Sequence, residues 1–353
     1  MSVAIVGGGI IGLSIAWRLA CRGVDATVLD ADLGRADLGR ADLGSVEGGY
    51  VGAWQVAAGM LAPGGESAFE YPALGALLAE SAERWPAYVE SLGADVGYDD
   101  AGTLSLAVTA DDAAEAARVW TRQGLPVLRP SELRDREPAL SPRVRAGVHS
   151  PAERQVDPRR VMAALRDRLG PRVLSSRVST LDEVEADLVV VAAGCGTAAL
   201  TGLPVRPVKG QVLRLRGEPG LLRHVLHATV DGRRVYLVPR ADGEVVVGAT
   251  QEERADRTVT AGGVYSLLRA ALQLVPGLAE FALVETAVGH RPGTPDNAPL
   301  LGRLRPGVIV AAGHHRNGVL LAPITADLIA ELVVTGVADP MLEAFAPGRF
   351  TCG

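Results

Sequence analysis

Three glycines hold the first hint of chemistry in this chain. Gly7, Gly9 and Gly12 stand in the spacing G-x-G-x-x-G, directly after the apolar run 2–6 and at the head of segment 10–22, where Ile11, Ile15 and Leu19 share a helical face. In a strand–turn–helix of this kind the first glycine permits the tight turn, the second lets the backbone approach a pyrophosphate, and the third lets helix and strand pack closely. The free N–H groups and positive dipole end of the helix would face the phosphates. Asp30 ends the next apolar strand, 26–29, where a carboxylate accepts hydrogen bonds from ribose hydroxyls. The unit predicts a bound dinucleotide and leaves nicotinamide and flavin carriers both open.

Other reactive residue types are sparse. Cys21, Cys195 and Cys352 are an odd number, far apart, with no C-x-x-C pair, which fits a reducing compartment and no metal motif. Cys195 follows Ala193-Gly194 and reads as a buried thiol. His314 and His315 are adjacent, so their side chains diverge in a turn; no third ligand accompanies them and no metal is expected. Only one of 35 basic residues is a lysine, Lys209, and the only asparagines are Asn297 and Asn317. The position of a rare residue carries some information. Asn317 is placed to cap the helix that follows it.

The elements that must hold these residues alternate in kind. Segments 66–92, 111–123 and 159–169 read as helices, 103–108 and 172–178 as strands, and 187–192 (DLVVVA) as a buried strand ending at Ala193-Gly194. From 208 to 250 the pattern alternates, with turns at Asp231-Gly232 and Asp242-Gly243 that predict an antiparallel meander. A helix at 267–275, a buried strand at 308–312 and a closing helix at 319–334 complete the chain. Parallel βα units at both ends with antiparallel strands between imply two interleaved domains. Residues 31–44 repeat ADLG three times at a period that suits neither helix nor strand, and read as a duplicated surface loop.

Composition narrows the class. The chain has 353 residues, 48% of them hydrophobic, and a net charge of −6. That supports a large core and excludes wholesale disorder. A phosphate-backbone binder is normally basic, so nucleic acid is not an expected partner. Residues 1–17 lack a basic flank and are split by glycines, and 48–65 contains Gly, Gln and Pro; neither reads as a secretion signal or membrane span. A soluble, cytoplasmic protein is expected.

Three further segments carry a resemblance: AAGMLAP (57–63), RPGTPD (291–296) and GHHRNGVLLAP (313–323). Together with GGGIIG they resemble the D-amino-acid oxidase family, and its glycine oxidase branch linked to thiamine synthesis. The likeness runs from residue 1 to about 335. DLVVVAAG (187–194) resembles the second strand motif of flavoproteins of this fold, which implies FAD. The implied fold is α/β: a Rossmann-like FAD-binding domain (1–84, 141–204 and 299–353) interleaved with a mostly antiparallel β-sheet substrate-binding domain (85–140 and 205–298).

The resemblance also implies roles. Arg291 would clamp the substrate carboxylate, a task suited to a planar guanidinium with two parallel donors and a permanent charge. Tyr236 would donate to the same carboxylate, Arg316 would stand near the substrate or flavin edge, and Met60 would form an apolar wall. Gly7, Gly9, Ile10, Ile11, Gly12, Asp30, Ala58, Gly59, Met60, Val178, Ala193 and Gly194 would bind the cofactor, with His315, Arg316, Asn317, Gly318, Val319 and Leu320 at the flavin end. Two departures stand out: Asp30 replaces the commoner Glu, and Gln251 stands where relatives often carry an apolar side chain. No cysteine occupies the segment where sarcosine oxidases attach flavin, so FAD would be non-covalent. The implied reaction is oxidation of glycine with O2, giving H2O2 and an imine that thiazole synthase would consume. Sarcosine and small D-amino acids are the alternative substrates, and a quinone-linked dehydrogenase and a non-catalytic flavoprotein are the rival readings. A homo-oligomer is expected.

Overall fold

The computed structural model describes residues 1–31, 52–64 and 71–350; apart from Ala31 the ADLG repeat lies outside them. The chain opens with β1 (Val3–Val6), α1 (Ile10–Cys21), β2 (Ala26–Asp30) and β3 (Met60–Leu61). Then come α2 (Pro72–Leu92), β4 (Thr103–Ala107), α3 (Ala110–Arg122), α4 (Pro130–Arg136), β5 (Ala146–Ser150) and β6 (Arg154–Gln155). Next are α5 (Pro158–Leu169), β7 (Val173–Ser175), β8 (Leu188–Val191), α6 (Thr197–Thr201), β9 (Arg206–Arg216), β10 (Val225–Val230), β11 (Arg233–Pro239) and β12 (Glu244–Gly248). The last are α7 (Ala261–Leu274), β13 (Ala282–Gly293), β14 (Leu300–Arg305), β15 (Val308–Ala312) and α8 (Ala322–Thr335).

These form two large sheets. The first has the order β14-β15-β8-β1-β2-β7 and is parallel except for β14. β1, β8 and β15 are buried along their whole length, because one face packs on the long helices and the other on the segments around Leu181 and Leu203. α1 and α8 pack together over this sheet, and α8 is apolar nearly all round because it is enclosed.

The second sheet has the order β13-β9-β12-β11-β10-β4-β5, antiparallel but for the β10–β4 pair. Period-two alternation gives it two distinct faces. Leu213, Leu226, Leu237 and Val247 enter one core with Leu267, Ala271 and Leu274 of α7. The opposite face carries Tyr236, registered between His227 and Gly248, and Arg291, registered with Val208.

The expected division at 84/85 falls inside the single helix α2, and β5, which the division at 140/141 groups with the first domain, pairs with β4 in the second sheet. Two element readings are corrected. The expected meander holds only from β10 to β12; β9 lies beside β12 and β13. The closing helix begins at Ala322, capped by Leu321, so Asn317 is not its cap.

Candidate active site

The glycine turn separates into two kinds of position. Gly7 has φ of 113°, and a Cβ there would run into the Ala192 carbonyl; a Cβ on Gly12 would run into the carbonyl of Gly7. The protein itself requires those two glycines. A Cβ on Gly9 would meet nothing nearer than Trp54 at 3.9 Å. The space over Gly9 opens into a cavity of about 1230 Å³. The α1 N-terminus beside it has no side-chain cap and no acid in its first turn. A bare glycine, uncapped N–H groups and open volume fit a diphosphate.

Asp30 lines the cavity and accepts from the Gly8 N–H at 2.5 Å, so it braces the turn as well as facing the expected ribose position. Two further residues here carried no motif. The Arg166 guanidinium lies 5.1 Å from the Trp54 ring centroid and both line the cavity. Burial lowers the pKa of Arg166 while Asp30 opposes the shift.

Of the residues assigned to the cofactor, all but Gly12 lie on the cavity wall. Gly59, with φ of 83°, turns the chain closely over the Val156 carbonyl and so places Met60. The loop before α8 is bent at Gly313 and His315, with φ of 73° and 49°. His315 N–H donates to the Pro292 carbonyl at 2.9 Å, which ties this loop to the end of β13. The two histidines diverge in role. His314 is buried, its Nε2 lies 3.1 Å from the Thr325 hydroxyl, and burial pushes its pKa down to about 3. His315 is also pushed down to about 3, by burial and then by Arg291, Arg316 and Arg206, and is a neutral ring on the cavity wall.

Arg291, Tyr236, Arg316 and Met60 meet at the other end of the cavity. Tyr236 and Met60 pack on one apolar cluster with Ala58, Val225, Val238 and Val246. Burial raises the Tyr236 pKa, while Arg291, Arg214 and Arg316 pull it down; the net rise keeps a phenol that can donate. Burial lowers the pKa of Arg291, whose guanidinium is nonetheless a cation at any ordinary pH. Its Nη1 donates to the Thr250 carbonyl at 3.1 Å, and among the described residues no carboxylate pairs with it. Arg291 is half-buried, and a cation partly withdrawn from water without an anion is destabilising unless a ligand supplies one.

Two glycines make this end possible. A Cβ on Gly210 would stand 2.5 Å from Arg291 Nη1, and a Cβ on Gly248 would collide with the Tyr236 phenol. A glycine inside a strand signals such close approach; VKGQV carries that signal, which the sequence reading missed, while Gly248 ends β12. The wall continues past Tyr236 through His227 and Ser105 to Glu153, which burial pushes up to about 7. Gln251 stands exposed at the rim. Cys195 is buried, its Sγ 3.7 Å from the His290 carbonyl, and burial pushes its pKa up to about 12, which suits an inert thiol. Among the described residues no group of three His, Cys, Asp or Glu could hold a metal ion, and no helix is long and apolar enough to cross a membrane.

Known proteins resemble this chain in sequence and fold. The chain is 35% identical over 377 residues to the bifunctional protein ThiO/ThiG of Synechocystis sp., covering 99% of this chain and 54% of that protein. It thus spans about half the length of the bifunctional relatives it matches. It is 34% identical over 369 residues to the glycine oxidase of Geobacillus kaustophilus, covering 94% and 92% of the two chains. The crystal structure of that glycine oxidase superposes with a TM-score of 0.85, at 32% identity over 99% of both chains. Iminodiacetate oxidase from Chelativorans sp. superposes with a TM-score of 0.83 at 27% identity over 98% of both. The DAO model of FAD dependent oxidoreductases matches residues 2–332, and the chain belongs to that family of flavoenzymes.

Proposed function

We propose that this flavoenzyme is a glycine oxidase that converts glycine, O2 and water to glyoxylate, ammonia and H2O2. The observation that carries the reading is Arg291: a half-buried, partly desolvated guanidinium with no acid partner among the described residues, beside the Tyr236 phenol on the wall of the cavity. That pair fits one small carboxylate. Bound FAD supplies a hydride acceptor that O2 can reoxidise. Arg291 would hold the carboxylate through its second edge and Tyr236 would donate to the same group. Met60 and Ala58 would exclude water from the reacting carbon. Positioning supplies most of the rate, and no side-chain base is required. The released imine would hydrolyse, or pass to a thiazole synthase, a partner suggested by the bifunctional relatives. A cytoplasmic location fits that role.

A second reading rests on the cavity continuing past Tyr236 to His227 and Ser105, which leaves room for a substituent on nitrogen or the α-carbon. Sarcosine and small D-amino acids are then substrates as well. Purified holoenzyme should form one H2O2 per glycine oxidised, with glycine favoured over sarcosine and D-alanine. Dye reduction without peroxide would overturn the oxidase assignment, and a tenfold preference for D-alanine the glycine assignment. Acid or heat should release free FAD; flavin remaining on the denatured chain would show a covalent link.

A further inference from the structure

We propose that Thr250, fixed by Glu252 and the buried Lys209, is the positioning device that aims Arg291 at the substrate carboxylate. The inference rests on the reading of Arg291 as the carboxylate clamp.

The chain past β12 continues antiparallel along β9, and the pairing there is irregular. Thr250 N–H donates to the Gln211 carbonyl at 3.2 Å, as in an ordinary ladder. The return bond is different. Gln211 N–H donates to the Thr250 hydroxyl at 2.9 Å, not to its carbonyl. The hydroxyl has taken the carbonyl's place in the ladder, and the carbonyl accepts from Arg291 Nη1 at 3.1 Å. A hydroxyl that accepts on one side must send its own proton elsewhere. That proton goes to Glu252 Oε1 at 2.7 Å.

Glu252 is held in turn. Its Oε1 also accepts from Gln211 Nε2 at 2.7 Å, and its Oε2 lies 3.5 Å from Lys209 Nζ. Lys209 is the only lysine in the chain and its side chain is 0% exposed. Its ammonium donates to Asp256 Oδ1 at 2.8 Å, and its backbone exchanges two hydrogen bonds with that of Glu252, at 2.8 and 3.0 Å. Gln211, Thr250 and Lys209 lower the Glu252 pKa against the desolvation that would raise it, so the acceptor is a carboxylate. Long, flexible side chains are thereby locked behind one peptide carbonyl, which orients the guanidinium that the cavity wall presents.

The valine variant Thr250→Val keeps the shape and removes the hydroxyl. Gln211 N–H then lacks an acceptor, and the carbonyl of residue 250 repairs the ladder by turning away from Arg291. Acetate, a carboxylate with no oxidisable amine, is the probe, titrated into holoenzyme and read from the flavin spectrum. With one hydrogen bond to a charged group lost, the acetate Kd and glycine KM should both rise by about tenfold, with kcat within about threefold. Thr250→Ser should restore both to near wild type, and Glu252→Ala should match the valine variant. FAD content and Tm separate misfolding from misaiming. Arg291→Met is the control for the clamp itself. If it loses acetate binding while Thr250→Val and Glu252→Ala bind like wild type, the relay is wrong and the clamp stands. If Arg291→Met binds acetate like wild type, the clamp is wrong and the relay falls with it.

Discussion

Arg291 shows how a residue's type can be legible when its surroundings are not. The segment R-P-G-T-P-D and the chemistry of a guanidinium pointed to a carboxylate clamp. Nothing in the spacing pointed to Thr250, because its role depends on which of its two oxygens enters the β9 pairing. Lys209 was conspicuous as the only lysine, yet its partners Glu252 and Asp256 follow it by more than forty residues. Arg166 and Trp54 were invisible for the same reason: an arginine in an arginine-rich chain carries no signal until folding sets it against the cavity. A test at this scale is Arg291→Lys. The ammonium keeps the charge and loses the two-donor fork. A desolvated hydrogen-bonded charge pair lost at such a site costs on the order of 2–5 kcal/mol. Thus kcat/KM on glycine should fall by roughly 30-fold or more. The flavin spectrum should hardly change, since the segments proposed to hold the dinucleotide are others. Equal losses on amines that lack a carboxylate would show that Arg291 supports the fold instead.

Among the elements, the parallel half was readable and the antiparallel half only locally so. A buried strand, a glycine turn and a helix are neighbours in sequence, and β1, α1 and β2 follow that order. The hairpins β10–β11 and β11–β12 were also readable, because Asp231, Gly232 and Gly243 take the positive φ their tight turns require. The pairing of β9 with β12 and β13 has no turn to announce it. Short elements such as α4 and β5 fell below the length at which periodicity is informative. The sheet nonetheless makes a sharp prediction. Gly210 lies opposite Gly289, and its missing Cβ is the floor under Arg291. In Gly210→Ala the obstacle meets the far end of a flexible side chain, which can move aside. Tm should drop by only a few degrees, the scale of ~1 kcal/mol. The glycine KM should rise at least about tenfold as the clamp is displaced, with FAD binding retained. Unchanged KM in a folded variant would mean that the guanidinium has another productive position.

At the scale of the whole molecule, burial of ionisable groups sets how the fold responds to pH. His314, in the loop before α8, is buried against that helix, where it lies 3.1 Å from the Thr325 hydroxyl, and burial takes its pKa from the ordinary 6.5 down to about 3. The unfolded chain therefore takes up a proton near pH 6.5 that the folded chain refuses. Stability contributed by the neutral ring is complete above pH 6.5 and is lost as pH falls toward 3, at up to ~1.4 kcal/mol per pH unit. His315 adds a second loss of the same sign. Glu153 works in the opposite sense: its pKa is raised to about 7, so its contribution is full below about 4.5 and is lost as pH rises to 7. The carboxylates held low by Lys209, such as Asp256, lose stability only at still lower pH. Between pH 5 and 6.5 the histidines and Glu153 are therefore the opposing pair. His314→Asn keeps a hydrogen-bonding amide beside Thr325 and removes the titration. Its Tm should decline less steeply than that of the parent holoenzyme from pH 6.5 to 5, while Glu153→Gln should make the decline steeper by removing the compensating trend. Parallel Tm curves for the parent and His314→Asn across that window would show that His314 protonates in the folded state after all, and that the packing between this loop and α8 admits a charge.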